Sequence, residues 1–228
     1  MTPGYVLVHS LLLGPATWAP VAARLTAAGA VVAVPSLVDV TDPDEPPFWP
    51  GVASRVAAAA PERPVVVVAH SNAGLMVPVI VDALGDRALG CVFVDSSLPS
   101  RVAPATPAAS PERLEFLRSL PPGDRLPQWT TWFPDDDVAQ LFPDAPTQAA
   151  VTAEQPRLPI SYYAQQIPVP PGWDDRPCGY LWFGPPYDRT AADARDRAWR
   201  VEHLPGRHLH QLVDPAAVAA RLLAMAGG

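Results

Sequence analysis

The chain has 228 residues, 49% hydrophobic and 17% charged, which is enough for one well-buried domain of ordinary size and too apolar for a disordered chain. Its 23 acidic residues outnumber 16 basic ones, all Arg, for a formal charge of −7. That balance, without a basic patch, argues against a nucleic-acid or anionic-membrane partner, and no apolar run reaches the ~18 residues of a membrane-spanning helix.

The N-terminal stretch lacks a basic segment, and His9 and Ser10 interrupt its apolar run, so it reads as a strand and loop, not a secretory signal; a cytoplasmic location is expected. Strands are predicted at 5–9, 30–35, 64–70 and 91–95, with helices at 17–29, 48–60 and 72–84 between them, the first closed by Gly29. The strand runs are continuous in Val instead of alternating, as in strands buried on both faces of a helix-covered parallel sheet. From 99 to 175 the chain turns rich in Pro, Trp and acids. It offers short helices, one opened by Ser110 and Pro111, and no evident strand. The sheet pattern returns with strands at 178–184 and 200–205, a helix at 190–199 carrying Thr190 and Asp193 at capping-box spacing, and a last helix behind Asp214 and Pro215. The expectation is an α/β domain formed by 1–98 and 176–228, with 99–175 inserted as a helical cap.

Within this pattern "VVVVAHSNAG" (65–74) sets Ser71 where a strand leads into a helix, with Ala69 and Ala73 at the −2 and +2 positions. Small residues there let the backbone bend tightly, so that the side chain stands clear: a nucleophile elbow. The Ser then lies at a helix N-terminus, whose unpaired N–H groups favour developing negative charge, and the N–H of Asn72 becomes one oxyanion donor. The bland alternative is a Ser that merely caps the helix. A nucleophilic Ser needs a base, and the base needs a carboxylate. His208 and His210 lie in the loop before the last helix, whereas His203 falls inside the predicted last strand; Asp188 stands just past the strand 178–184. The chain order Ser71, Asp188, His is that of the α/β-hydrolases.

Four segments carry a resemblance to that fold superfamily, near its small esterase and hydroxynitrile-lyase branch: "VLVHSLLLGPATW", "VVAHSNAG", "FVDSSLP" and "LPGRHLHQLVDP". They cover both ends of the chain; 99–175 matches only as a helical cap. The resemblance implies an α/β-hydrolase fold with a mainly parallel sheet of about six strands. It implies Ser71 as nucleophile, His208 as base (seven residues before Pro215) and Asp188 as acid, with Asp95 as the rival acid. It further implies the N–H groups of Leu11 and Asn72 as oxyanion donors and His9 as a structural residue of the oxyanion loop. Ser10 stands where the branch usually has Gly after the His, which puts a hydroxyl in reach of substrate. The lyases of the branch often carry an extra Lys, and this chain has none.

The insert supplies Trp129, Trp132, Phe133, Tyr162, Tyr163 and Trp173, readable as an aromatic lid over substrate or as the insert's own core. Ser10, Trp129, Trp132 and Tyr163 are the substrate-binding candidates. "PDDDVAQ" reads as a helix N-terminus instead of a metal site. Cys91 and Cys178 read as reduced, buried small hydrophobes. His70 is assigned no chemistry. The function expected is hydrolysis of an ester or thioester of a small, fairly apolar acid, with no cofactor and no metal. The rivals are a lyase, cyclase or dehydratase using the same residues for acid/base work, and a silent ligand-binding relative. The expected partner is a small-molecule substrate; an exposed aromatic lid edge would invite a homodimer.

Overall fold

The computed structural model describes residues 3–42, 45–121 and 123–226, so the first and last two residues of the expected core lie outside it. Its strands are β1 (Gly4–Val8), β2 (Val32–Ala33), β3 (Val65–His70), β4 (Ala88–Val94), β5 (Ala105–Pro107), β6 (Gln166–Pro168), β7 (Cys178–Trp182) and β8 (Arg200–His203). Its helices are α1 (Ala19–Ala27), α2 (Trp49–Ala59), α3 (Val77–Leu84), α4 (Pro111–Ser119), α5 (Asp135–Ala139), α6 (Ala145–Glu154), α7 (Ser161–Ala164), α8 (Asp188–Asp196), α9 (His210–Val213) and α10 (Pro215–Ala226).

Six strands form one parallel sheet in the order β2-β1-β3-β4-β7-β8. The Val runs are buried on both faces because their two side-chain sets enter two cores. Val67, Ala69, Cys91 and Phe93 join the apolar cluster shared with α2 and α3. Val66, Val68, Val92 and Val94 join Trp18, Leu25, Val218 and Leu222 of the α1 and α10 side. Helices on both faces leave the strands no polar side, which accounts for the missing alternation. Cys91 and Cys178 are register partners across β4 and β7; both are free thiols, with sulfurs 3.3 Å apart.

Local signals explain the ends of elements. Gly29 adopts φ 89°, and the N–H of Ala30 reaches back to the Leu25 carbonyl at 3.0 Å, closing α1 with a left-handed turn that suits Gly. Ser110 and Asp214 accept from the N–H groups of Arg113 (3.2 Å) and Ala217 (2.9 Å), capping α4 and α10.

The chain between β4 and β7 holds α4 to α7 and, against expectation, a two-stranded antiparallel ribbon of β5 and β6. Its buried aromatics Trp129, Tyr162, Tyr163 and Trp173 belong to the same apolar cluster as β1 and β3, so this segment packs directly on the sheet's face. The expected helix at 190–199 begins earlier, at Asp188, so Thr190 and Asp193 form no capping box; Asp193 pairs with Arg197 at 2.8 Å instead. Among the described residues no helix is long and apolar enough to cross a membrane.

Strand order reverses between β1 and β3, since β2 lies on one side of β1 and the later strands on the other. In open parallel sheets the crevice beyond the strand ends at such a point is where ligands bind. Ser71 and Asp95 directly follow β3 and β4, Ser10 lies two residues past β1, and Tyr187 and His208 lie five residues past β7 and β8.

Candidate active site

Ser71 follows β3 directly, with φ 58°, a left-handed conformation costly for any residue with a Cβ. The 3-10 turn Ser71–Met76 leads from it into α3. The strain is held by contacts to the Ser71 carbonyl, which accepts from Ser96 Oγ–H at 2.6 Å and from the Ser97 N–H at 3.1 Å. Gly74 lets these segments approach: a Cβ there would run into Ser96 Oγ and the Ser97 carbonyl. Ala69 and Ala73 are fully buried.

Ser71 Oγ–H donates to His208 Nε2 at 3.0 Å, and His208 Nδ1–H donates to a carboxylate oxygen of Asp95 at 2.7 Å. Asp95 is completely buried. Its other oxygen accepts from the Phe183 N–H at 3.1 Å, and its own N–H is tied to the Leu181 carbonyl at 2.8 Å. The expectation of Asp188 is thus corrected: the carboxylate against the His208 imidazole is that of Asp95. Asp188 is exposed in the first turn of α8, where its charge meets a helix N-terminus and not an imidazole. Asp95 is the first residue after β4, and its φ of 43° marks the turn that leads the chain off the sheet. His210, the other base considered, heads α9 and packs against Phe183.

His70, fully buried, donates from Nε2 to the His208 carbonyl at 2.8 Å, with the two rings 4.6 Å apart. Burial, and then the nearby His208 charge, push its pKa well below the ordinary value, so it stays neutral. It ties the loop that carries His208 to the end of β3. His9, also fully buried, donates from Nδ1 to the Ser10 carbonyl at 2.7 Å and accepts the Leu37 N–H on Nε2 at 2.9 Å, fixing the turn after β1.

Of the two N–H groups expected as oxyanion donors, that of Leu11 is already engaged. It donates at 3.0 Å to Asn72 Oδ1, the side-chain carbonyl of the residue after Ser71. Ser10 Oγ–H donates to the same oxygen at 2.9 Å and accepts the Leu12 N–H at 3.2 Å. Ser10 is 1% exposed and sits behind Asn72, off the cavity wall, so it does not present its hydroxyl to substrate in this arrangement.

A family model of the alpha/beta hydrolase family matches residues 5–221. The chain belongs to that family. A rice (Oryza sativa subsp. japonica) protein, Esterase PIR7B, is 35% identical over 104 residues; the match spans 42% of this chain and 39% of that protein's length. An extracellular alpha/beta-hydrolase from a Paenibacillus species superposes with a TM-score of 0.74 at 15% identity, covering 98% of both chains. A variant of tomato methylketone synthase I superposes at 0.75 with 16% identity, covering 99% of this chain and 97% of that one.

In this alpha/beta hydrolase Ser71 opens into a cavity of about 600 Å³. Trp129, Phe133 and Tyr163 line it, along with Leu12, Leu75 and Leu98. Trp132 does not: its indole N–H donates to the Pro127 carbonyl at 2.8 Å and its ring packs on Phe116, so it belongs to the core of the segment above the sheet. Tyr187 and Arg113 are cavity residues that the sequence reading did not single out. The Tyr187 ring stacks on His208 at 5.2 Å, and its hydroxyl lies 3.5 Å from Ser71 Oγ. Burial pushes that phenol up to about 12, so it remains a hydrogen-bond donor at neutral pH. The only sequence signal for either residue was nearness: Tyr187 adjoins Asp188, and Arg113 follows a helix cap.

Proposed function

We propose that the protein is a serine hydrolase, an esterase or thioesterase acting on a small acyl substrate whose non-reacting part is largely apolar. The observation that carries this is the Asp95–His208–Ser71 hydrogen-bonded chain on a strained elbow at the floor of an apolar cavity. The esterase name of the rice relative supports the same reading.

His208 takes the Ser71 proton as Oγ attacks the acyl carbon, and Asp95 holds the Nδ1–H tautomer and stabilises the imidazolium that forms. The tetrahedral oxyanion accepts from the N–H groups of Leu11 and Asn72, once the Asn72 side chain has swung off Leu11. His208 then returns the proton to the departing alkoxide or thiolate, and water activated by the same His releases the acid. Residues 99–175 serve as the lid that shapes the cavity, with Trp129 and Tyr163 on its inner wall.

A second reading has one observation behind it. Leu11 N–H is already occupied by Asn72 Oδ1, which favours acid/base chemistry that needs no acyl-enzyme. The experiment that separates the two is hydrolysis of short p-nitrophenyl esters and an acyl thioester by wild type and Ser71→Ala, with fluorophosphonate labelling. Turnover and labelling that both vanish in Ser71→Ala support the hydrolase. A chain that neither labels nor turns over any ester rejects it.

A further inference from the structure

We infer that the cavity recognises a substrate bearing a carboxylate away from its reacting ester or thioester bond, with Arg113 as the residue that receives it; this rests on the hydrolase reading and names its substrate class. Among the described residues lining the cavity, Arg113 is the one permanently charged side chain, and no Asp or Glu is among them. Its guanidinium has neither an ion-pair partner nor a hydrogen-bond acceptor among the described residues; only its backbone N–H is used, in the Ser110 cap. What holds the guanidinium is aromatic: it lies 5.0 Å from the Phe116 ring centroid and 5.2 Å from that of Trp132.

That arrangement orients a planar cation while leaving its N–H fork unspent. A half-buried guanidinium beside an apolar wall gains little from such stacking alone and much from a charge-assisted bidentate partner. In a chain with 23 acidic residues, an internal carboxylate would have been an available partner, yet none is placed there. The Arg113 charge is felt across the cavity: it opposes the burial-driven rise of both the Tyr163 and Tyr187 phenols, and Tyr187 touches the nucleophile. Tyr163, itself on the cavity wall, keeps a buried hydroxyl with no partner among the described residues. A single guanidinium fork matches a monovalent planar carboxylate, whereas a phosphate dianion would leave charge uncompensated.

The test uses the monomethyl and dimethyl esters of the C4 to C8 straight-chain dicarboxylic acids, each pair differing in one charge. Binding is measured by calorimetry on Ser71→Ala, which cannot turn them over by the proposed route. At the best chain length the anionic monoester should bind at least tenfold tighter than its neutral diester, and added salt should narrow the gap. Arg113→Met in the same background should bring the two to within twofold, and Arg113→Lys should restore part of the preference. No charge preference, a preference that survives Arg113→Met, or equal losses for both esters (the signature of a purely structural stack) each overturns the inference; so does failure of every ester to bind. Turnover by wild type is read separately. Arg113-dependent binding with no Ser71-dependent hydrolysis would sink the hydrolase reading while leaving the carboxylate site standing.

Discussion

Two carboxylates compete for one role in the sequence, and their surroundings separate them. Asp95 is buried with both oxygens engaged, one by His208 and one by the Phe183 N–H. Asp188 is exposed on a helix. If Asp95 holds the imidazole in its working tautomer, Asp95→Asn should lower kcat by about 10⁴ while the fold survives, the loss typical of a triad Asp so replaced. Asp188→Asn should stay within about twofold of wild type. Ester hydrolysis by the purified variants checks both, and the reverse ranking would restore Asp188. Asn72 offers a second test at this scale. Its side chain occupies the Leu11 N–H that a substrate oxyanion would need, and one net hydrogen bond is worth about 1 kcal/mol. Asn72→Ala should therefore raise kcat/KM for p-nitrophenyl esters about fivefold if an oxyanion forms there. A fall instead would make the carboxamide part of the working site, as the acid/base reading requires.

At the scale of elements, the elbow depends on three segments meeting: the end of β3, the 3-10 turn after it, and the Ser96–Ser97 stretch past β4. Gly74 is the point of closest approach. Gly74→Ala should cost about 1–3 kcal/mol of stability by overpacking, read as a lower urea midpoint, and should depress activity further by shifting the Ser71 carbonyl from its two donors. Unchanged stability would mean that the segments can part without consequence. The sheet was legible in the sequence because a strand buried on both faces must be continuously apolar, and Val65–Ala69 leaves no other reading. The elbow was legible because tight turns need small neighbours, and Ala69, Ala73 and Gly74 are small. The β5–β6 ribbon was not, since strands of three residues containing Pro107 and Pro168 lack any periodicity to detect. The choice of acid was equally hidden: both Asp95 and Asp188 follow strands, and only the fold reveals that Phe183–Tyr187 carries the chain past His208 before Asp188 is reached. Trp132 and Trp129 are three residues apart with the same composition cue, yet one roots the insert and the other faces the cavity. Arg113 and Tyr187 left no motif because their roles come from what surrounds them.

The whole molecule couples this site to its own stability through two histidines kept neutral in its interior. His9 is fully buried between an acceptor on one ring nitrogen and a donor on the other, and burial lowers its pKa to about 4. An unfolded His takes its proton near 6.5. Between those values the unfolded chain binds a proton that the folded chain refuses, so unfolding becomes easier as pH falls through that window. His9 alone removes up to about 3 kcal/mol by the time pH reaches 4, and His70, shifted in the same direction, adds to the loss. For a domain of this size that is a large part of the usual 5–15 kcal/mol. The urea midpoint should therefore drop steadily from pH 7.5 through 6 to 5. His9→Gln should flatten the slope while lowering stability at pH 7.5, because the amide cannot gain the offending charge but fits the two hydrogen bonds less well. A midpoint independent of pH between 7.5 and 5 in wild type would show that neither ring is held neutral by the fold. A drop that His9→Gln leaves untouched would assign the whole effect to His70.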